Sequence, residues 1–203
     1  MVNEIRIYVE GGGQDRDAKA RLGAGFNGFL ADLRTLARSR RIKWQIIPCG
    51  SRDEAYRKFV KALKTHPDAF NVLLVDSEAP VKETPWQHLQ RRDGWNSHAV
   101  DDAQCHLMVQ MMEAWFIADI DSLQRFYGQG FNASALPRNP NVEEIPKQQI
   151  ESSLKTATRR TTKGEYHKTH HAPKILEQLD VSKVREAAPH CNRLFTTLEK
   201  KIA

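Results

Sequence analysis

Three carboxylates stand where two predicted β-strands end. Glu10 follows the β-branched and aromatic residues 5–9 and precedes three glycines, which permit the positive φ angles of a tight loop. Asp76 and Glu78 follow residues 71–75, a nearly continuous apolar run typical of a strand buried on both faces. Side chains two apart in an extended chain point the same way. Because ligands bind at the carboxyl edge of open α/β sheets, we expect the three side chains to meet there.

Carboxylates crowded at one edge repel each other, which raises at least one pKa, and a divalent cation removes that repulsion. Oxygen ligands alone favour Mg²⁺ or Mn²⁺ over zinc. Such a cation would neutralise charge on a phosphate and generate hydroxide near neutral pH, so the predicted chemistry is hydrolysis or transfer at phosphorus. Asp76 and Glu78 would be the main ligands, and Glu10 either a ligand or the general base. The alternative is that all three are ordinary surface carboxylates.

These two signals, a strand followed by Glu-Gly and a strand followed by Asp-x-Glu, resemble the TOPRIM domain of topoisomerases, primases and OLD-type nucleases. The match, residue by residue, comprises Glu10, Gly11, Asp76 and Glu78. At the position of Glu78 the family more commonly has aspartate. Residues 112–119 and 166–168 look like the corresponding segments of a family of small bacterial TOPRIM-like proteins, so the resemblance spans most of the chain.

The resemblance implies a TOPRIM-like, Rossmannoid fold in which the glutamate and the acidic pair hold Mg²⁺ and act on phosphodiester bonds. Members of this family are often encoded beside AAA-type ATPases in defence-like operons. The resemblance therefore implies a Mg²⁺-dependent nuclease that works with an ATPase partner in bacterial defence. A second hypothesis is a non-catalytic adaptor that docks nucleic acid or the ATPase.

Two further residues are candidates for the same site. Glu113 follows a predicted strand at residues 106–109, so it should reach the edge where Glu10 lies, as a metal ligand or as a support for one. The alternative is a carboxylate at a helix N-terminus, where the helix dipole favours it. Lys168 is a candidate catalytic residue that would stabilise developing negative charge, provided that the basic segment around it folds back onto the site.

Two basic segments are candidates for nucleic-acid contacts. Arg91 and Arg92 lie in a predicted long loop, residues 79–102, in which Trp86 and Trp95 could stack on bases. The alternative is that both tryptophans anchor this loop to the core.

The second segment is a basic strip at residues 159–171, which contains Arg159, Arg160 and Lys163 and would supply affinity for phosphates. Its alternative role is a solvated connector. The net charge of +6 favours polyanionic partners, although it could also serve solubility alone.

The order of apolar patterns predicts an α/β fold. Strands are expected at residues 5–9, 44–48, 72–75 and 106–109, and helices at 16–40, 51–65, 112–127, 147–157, 173–179 and 189–202. Strands alternating with helices predict a mostly parallel sheet of about four strands with right-handed crossovers. We divide the chain into an α/β core, residues 1–127, and a helical C-terminal extension, residues 128–203, that carries the basic strip.

The composition bounds the remaining possibilities. The three cysteines are widely spaced and odd in number, which argues against a disulfide framework. No apolar run approaches the ~20 residues of a membrane span, and no signal sequence is evident, so we expect a cytoplasmic protein without membrane contacts. The sequence leaves the oligomeric state and the choice between DNA and RNA open.

Overall fold

A computed structural model describes residues 2–203. Its four strands form one all-parallel sheet in the order β2-β1-β3-β4. The strands are β1 (Glu4–Val9), β2 (Lys43–Pro48), β3 (Phe70–Asp76) and β4 (Cys105–Met108). The sheet is flanked by helices, which confirms the predicted α/β class with a mostly parallel sheet of about four strands.

Ten α-helices surround the sheet within residues 2–203. They are α1 (Arg16–Phe29), α2 (Ala31–Ser39), α3 (Arg52–Thr65), α4 (Pro85–Asp93), α5 (Ala114–Ala118), α6 (Ile120–Tyr127), α7 (Lys147–Thr158), α8 (Lys168–Leu176), α9 (Val181–Ala187) and α10 (Pro189–Ile202). None of these helices combines the length and the apolarity that crossing a bilayer requires.

The sheet separates two apolar cores. On one face, Ile5, Ile7 and Val9 of β1 pack with α1, α2 and the helices from α5 onwards. On the other face, Tyr8 packs with α3 and α4. This alternation along β1 follows from the twofold period of a strand. The predicted C-terminal extension contributes Ile175 and other apolar residues to the first of these cores.

Two predicted helices are each divided into two. The helix expected at residues 16–40 is α1 and α2, which are separated at the buried Leu30. The helix expected at residues 112–127 is α5 and α6, because the Asp119 carboxylate caps α6 by accepting a hydrogen bond from the Ser122 N–H at 3.3 Å. A buried cap satisfies the backbone at such a break, and periodicity alone does not reveal it.

The prediction of a long irregular loop at residues 79–102 was wrong, because this segment contains α4. Thr84 and Gln87 form a capping box that begins this helix, with Pro85 at its first position. Trp86 is buried, and its indole Nε1 donates to the Asp101 carbonyl at 3.0 Å. Trp95 is buried too and stacks on the ring of Tyr56. Both tryptophans therefore anchor the segment to the core.

The C-terminal helices also differ from the prediction. Helix α8 begins at Lys168, five residues before the expected start, and Pro173 lies inside it. Helix α9 was not predicted at all. The early start of α8 matters because this helix packs along α1, where a Cβ atom on Gly25 would approach the Pro173 carbonyl oxygen to 2.5 Å. Close packing of the two helices carries Lys168 to the carboxyl edge of the sheet.

Candidate metal centre

Three carboxylates meet at the carboxyl edge of the sheet. Glu10 follows the last residue of β1, Asp76 is the last residue of β3, and Glu78 lies two residues further on. Each offers an oxygen atom, and these oxygens all lie within 4.8 Å of one another. The central strands β1 and β3 pair in register up to Val9 and Leu74, which brings their ends to the same level.

Glu10 is held by the chain on two sides. Its Oε2 accepts a hydrogen bond from the Asp76 backbone N–H at 3.1 Å and another from Arg52 Nη1 at 3.3 Å. Burial raises the pKa of Glu10, while the Arg52 charge and the N–H of Asp76 oppose the rise. A carboxylate with a raised pKa at a fixed position suits proton transfer.

Asp76 is the most enclosed of the three, with 3 % of its surface exposed. Its Oδ1 accepts a hydrogen bond from the Met112 backbone N–H at 2.8 Å, and its Oδ2 lies 3.5 Å from Lys168 Nζ. Burial raises the pKa of Asp76 to about 7, with the charges of Glu10 and Glu113 adding to the rise and Lys168 opposing it. The folded chain therefore favours a proton or a cation at this oxygen.

Glu78 reaches the cluster by a route that the sequence did not suggest. The expectation that Asp76 and Glu78 share one extended strand was wrong, because β3 ends at Asp76 and Glu78 has a φ of +64°. This left-handed conformation costs free energy for a residue with a Cβ atom. The Glu78 N–H donates to the Gln110 carbonyl at 2.8 Å, and its Oε2 lies 2.5 Å from Lys147 Nζ. The turn thus points the carboxylate back towards Asp76.

Glu113 lies beside the cluster and is 1 % exposed. Its Oε1 accepts a hydrogen bond from the Tyr166 hydroxyl at 2.7 Å, and its Oε2 has no hydrogen-bond partner within residues 2–203. Its side chain makes no capping hydrogen bond to α5. Glu113 is not among the three carboxylates whose oxygens converge, so its link to the site runs through Lys168.

Lys168 joins the two buried carboxylates. Its Nζ lies 3.5 Å from Asp76 Oδ2 and 3.5 Å from Glu113 Oε1, while 51 % of its side chain remains exposed. Burial by itself would lower the pKa of Lys168, but the charges of Asp76 and Glu113 outweigh this and raise it. The ammonium group is therefore a permanent cation at the edge of the cluster.

Three site residues were missed from the sequence. Arg52 donates to Glu10 and to the Asp76 carbonyl and forms an ion pair with Asp93 at 2.7 Å. Lys147 and Tyr166 hold Glu78 and Glu113. Tyr166 lies in a segment that carried the family resemblance, which is the only signal that pointed to it. Arg52 follows an N-cap serine and Lys147 begins a helix, and both are common local patterns. The local sequence therefore does not predict that either residue contacts the site.

The five predicted nucleic-acid residues lie outside the carboxylate cluster. Arg91 pairs with Glu83 at 2.7 Å, and Arg92 pairs with Asp93, which also binds Arg52. Arg159 and Arg160 line a surface pocket with Gly130 and Phe131, and Lys163 Nζ lies 5.3 Å from the centre of the Phe126 ring. Within residues 2–203, none of the five forms an ion pair with a carboxylate of the cluster.

The donor set fits a hard divalent cation. Its three converging side chains offer only carboxylate oxygens, the ligands that Mg²⁺ and Mn²⁺ prefer. Burial raises the pKa of Asp76 to about 7 although Lys168 opposes the rise, so a metal cation would offset a charge that Lys168 compensates only in part. The same surroundings contain the cations Arg52, Lys147 and Lys168, which would lie around an anionic ligand of the metal.

Comparison with known proteins gives one match. No curated protein and no solved structure matches the chain. A family model described as a domain of unknown function, DUF4276, matches residues 9–199, a stretch that includes all the carboxylates described above and nearly the whole fold. The chain therefore belongs to the DUF4276 family.

Proposed function

We propose that this protein is a nuclease that hydrolyses phosphodiester bonds with a divalent cation, Mg²⁺ or Mn²⁺, held by Glu10, Asp76 and Glu78. The observation that carries the proposal is the convergence of three carboxylate oxygens within 4.8 Å, with the Lys168 ammonium 3.5 Å from one of them. A bound cation would supply charge neutralisation at the phosphate and promote ionisation of the attacking water.

The chain's own groups have distinct roles in this proposal. Water adds to phosphorus and loses a proton, for which Glu10 would be the acceptor through the carboxylate oxygen that does not hold the cation. The bond from phosphorus to the leaving oxygen breaks, and that oxygen takes a proton from solvent. Lys168 offsets the negative charge that develops on the phosphoryl oxygens, since its half-exposed ammonium is free to approach them.

Supporting contacts keep these groups in place. Glu113, which accepts a hydrogen bond from the Tyr166 hydroxyl, pairs with Lys168, and the Met112 N–H donates to Asp76. Arg52 ties Glu10 to the end of β3, because it also donates to the Asp76 carbonyl. Second contacts of this kind limit the freedom of the reacting groups and are a general requirement for precise positioning.

The basic residues outside the cluster are the proposed contacts to the rest of the nucleic acid. Arg91 and Arg92 belong to α4, whose last residue, Asp93, pairs with Arg52. Arg159, Arg160 and Lys163 belong to the basic strip, which also contains Lys168. Contacts of this kind give affinity without sequence preference and weaken as salt rises.

A second candidate function, the non-catalytic adaptor, is favoured by the ion pairs of the site. Arg52, Lys147 and Lys168 already face Glu10, Glu78 and Asp76, so most of the negative charge is balanced by the chain itself. In an adaptor these pairs would stabilise the fold, and Mn²⁺ would leave the melting temperature unchanged.

The proposal places the protein in the cytoplasm, and the three cysteines support this because all of them are free and buried within the described chain. It also keeps an AAA-type ATPase as a partner, on the resemblance to TOPRIM-like proteins alone. The nuclease assay is therefore run without and with an AAA-type ATPase.

The decisive experiment measures cleavage of single- and double-stranded DNA and RNA in Mg²⁺, in Mn²⁺ and in EDTA. Wild type is compared with Asp76→Asn and with Asp68→Asn, a matched control at an exposed position just before β3. We expect metal-dependent cleavage that Asp76→Asn abolishes and Asp68→Asn retains. Cleavage that survives in Asp76→Asn would refute the site, and no cleavage under any condition would favour the adaptor.

A further inference from the structure

A pocket of about 310 Å³ opens directly from the carboxylate cluster. One end is polar and contains Glu10, Asp76 and Lys168. The rest is mostly apolar and includes Leu22 of α1, Met108 at the end of β4 and Met112 shortly after it. A pocket with charged groups at one end only fits a ligand that has a charged end and an uncharged body.

Two backbone segments, the glycine loop after β1 and helix α8, form walls of this pocket. The glycine loop after β1 forms one wall, and its Gly12 lies so close to α1 that a Cβ atom there would meet Lys19 Cα at 2.9 Å. Helix α8 forms the opposite wall with Thr169, Ala172 and Pro173. A Cβ atom on Gly13 would meet nothing within 4 Å, so the loop leaves open space beside it. The walls are thus formed before any ligand arrives.

We propose that this pocket receives one unpaired nucleobase of the substrate while its phosphate lies at the carboxylate cluster. The inference rests on the proposed function and adds the substrate class, a single-stranded or frayed end rather than an intact duplex. A volume of about 310 Å³ is at the lower end for ligand pockets and accommodates one nucleotide unit. A paired base inside a duplex cannot enter without leaving its stack.

The chemistry of the lining suits a base. Met108 and Met112 present flexible thioether side chains, which make favourable contacts with aromatic rings. Apart from Glu10, Asp76 and Lys168 at the cluster, Thr169 is the one lining residue of the described chain whose side chain carries a strong hydrogen-bonding group. We therefore expect binding that depends on the presence of a base and varies little with its identity.

The test uses adenosine 5′-monophosphate and ribose 5-phosphate, which share the phosphate and differ in the base. Their dissociation constants are measured by calorimetric titration in Mn²⁺ and again in EDTA, because contacts to the base belong to the chain itself. Thr169→Trp fills the pocket from a half-buried position on α8, and Thr35→Trp is the matched control at an exposed position on α2. The Mn²⁺-induced change in melting temperature is recorded for every variant.

We expect wild type to bind adenosine 5′-monophosphate about 3- to 100-fold more tightly than ribose 5-phosphate, the range that thioether contacts from Met108 and Met112 to one aromatic ring supply. Thr169→Trp should remove this preference and keep the Mn²⁺ response, while Thr35→Trp should keep both. Equal affinities in wild type, no detectable binding of the nucleotide, or a preference that survives in Thr169→Trp would overturn the inference. Failure of the proposed metal site is a separate outcome, since it would abolish the Mn²⁺ response and leave a base preference intact.

Discussion

Replacing Asp76 by asparagine should stabilise the metal-free protein and at the same time abolish its response to metal. Burial and the neighbouring carboxylates raise the pKa of Asp76 from 3.8 to about 7. A rise of this size corresponds to about 4 kcal/mol of folding free energy, which is lost once the pH exceeds the pKa of Asp76 in the folded state. Asparagine carries no charge, and its oxygen can still accept the hydrogen bond from Met112.

The pH dependence of this effect has a defined sign. The folded state binds the proton of Asp76 more tightly than the unfolded state does, so the cost grows as the pH rises from about 4 to about 7. At pH 8 the full cost applies, and at pH 5 less than half of it remains. Because the amide of asparagine faces the Lys168 ammonium, part of the gain is offset, and we expect a net gain of about 2 kcal/mol at pH 8.

The assay is thermal unfolding at pH 8 and at pH 5, in EDTA and in Mn²⁺. For a chain of this length, a gain of about 2 kcal/mol raises the melting temperature by about 4–8 °C. Mn²⁺ at about 100 times its dissociation constant should stabilise wild type by about 2.7 kcal/mol and leave Asp76→Asn unchanged. The reasoning is refuted if the variant is less stable than wild type at pH 8 in EDTA, or if it keeps the wild-type response to Mn²⁺. Asp68→Asn should behave as wild type throughout.

Three further predictions follow from the contacts of the site and of the core. Glu78→Gly should be about 1 kcal/mol more stable than Glu78→Ala in urea unfolding, because only glycine adopts a φ of +64° without strain; equal stabilities would contradict this. Lys168→Met should lower the melting temperature, since Asp76 and Glu113 lose a shared cation. Mn²⁺ should then raise the melting temperature of this variant by more than it raises that of wild type; an unchanged melting temperature in Lys168→Met would argue against the bridge. Burial lowers the pKa of His106 to about 3, so protonation of the unfolded state should remove about 2 kcal/mol of wild-type stability between pH 7 and pH 5. His106→Gln should lose about 2 kcal/mol less over the same interval, and parallel pH profiles would count against the buried neutral imidazole.

The strands and their ends were predictable because their signals are local. Residues 71–75 are apolar without interruption, so a buried strand followed by Asp76 could be inferred from a few adjacent residues. Parallel pairing then required that Glu10 and Asp76 end at one edge. One error occurred where a tertiary contact divides a helix, at Asp119, whose carboxylate caps α6 and also accepts the Asp180 N–H.

The sequence by itself determined the α/β class, the parallel sheet and the meeting of Glu10 and Asp76, because strand periodicity and chain direction settle which residues share an edge. Glu78 joins them through a turn with a positive φ angle, which strand periodicity does not predict. Only the tertiary structure decided which cations face these carboxylates. Arg52 is 42 positions from Glu10, and Lys147 is 69 positions from Glu78. Such contacts depend on how whole helices pack, and packing against α1 is what carries α8, with Lys168 and one wall of the pocket, to the edge of the sheet. No local pattern of residue types encodes that arrangement.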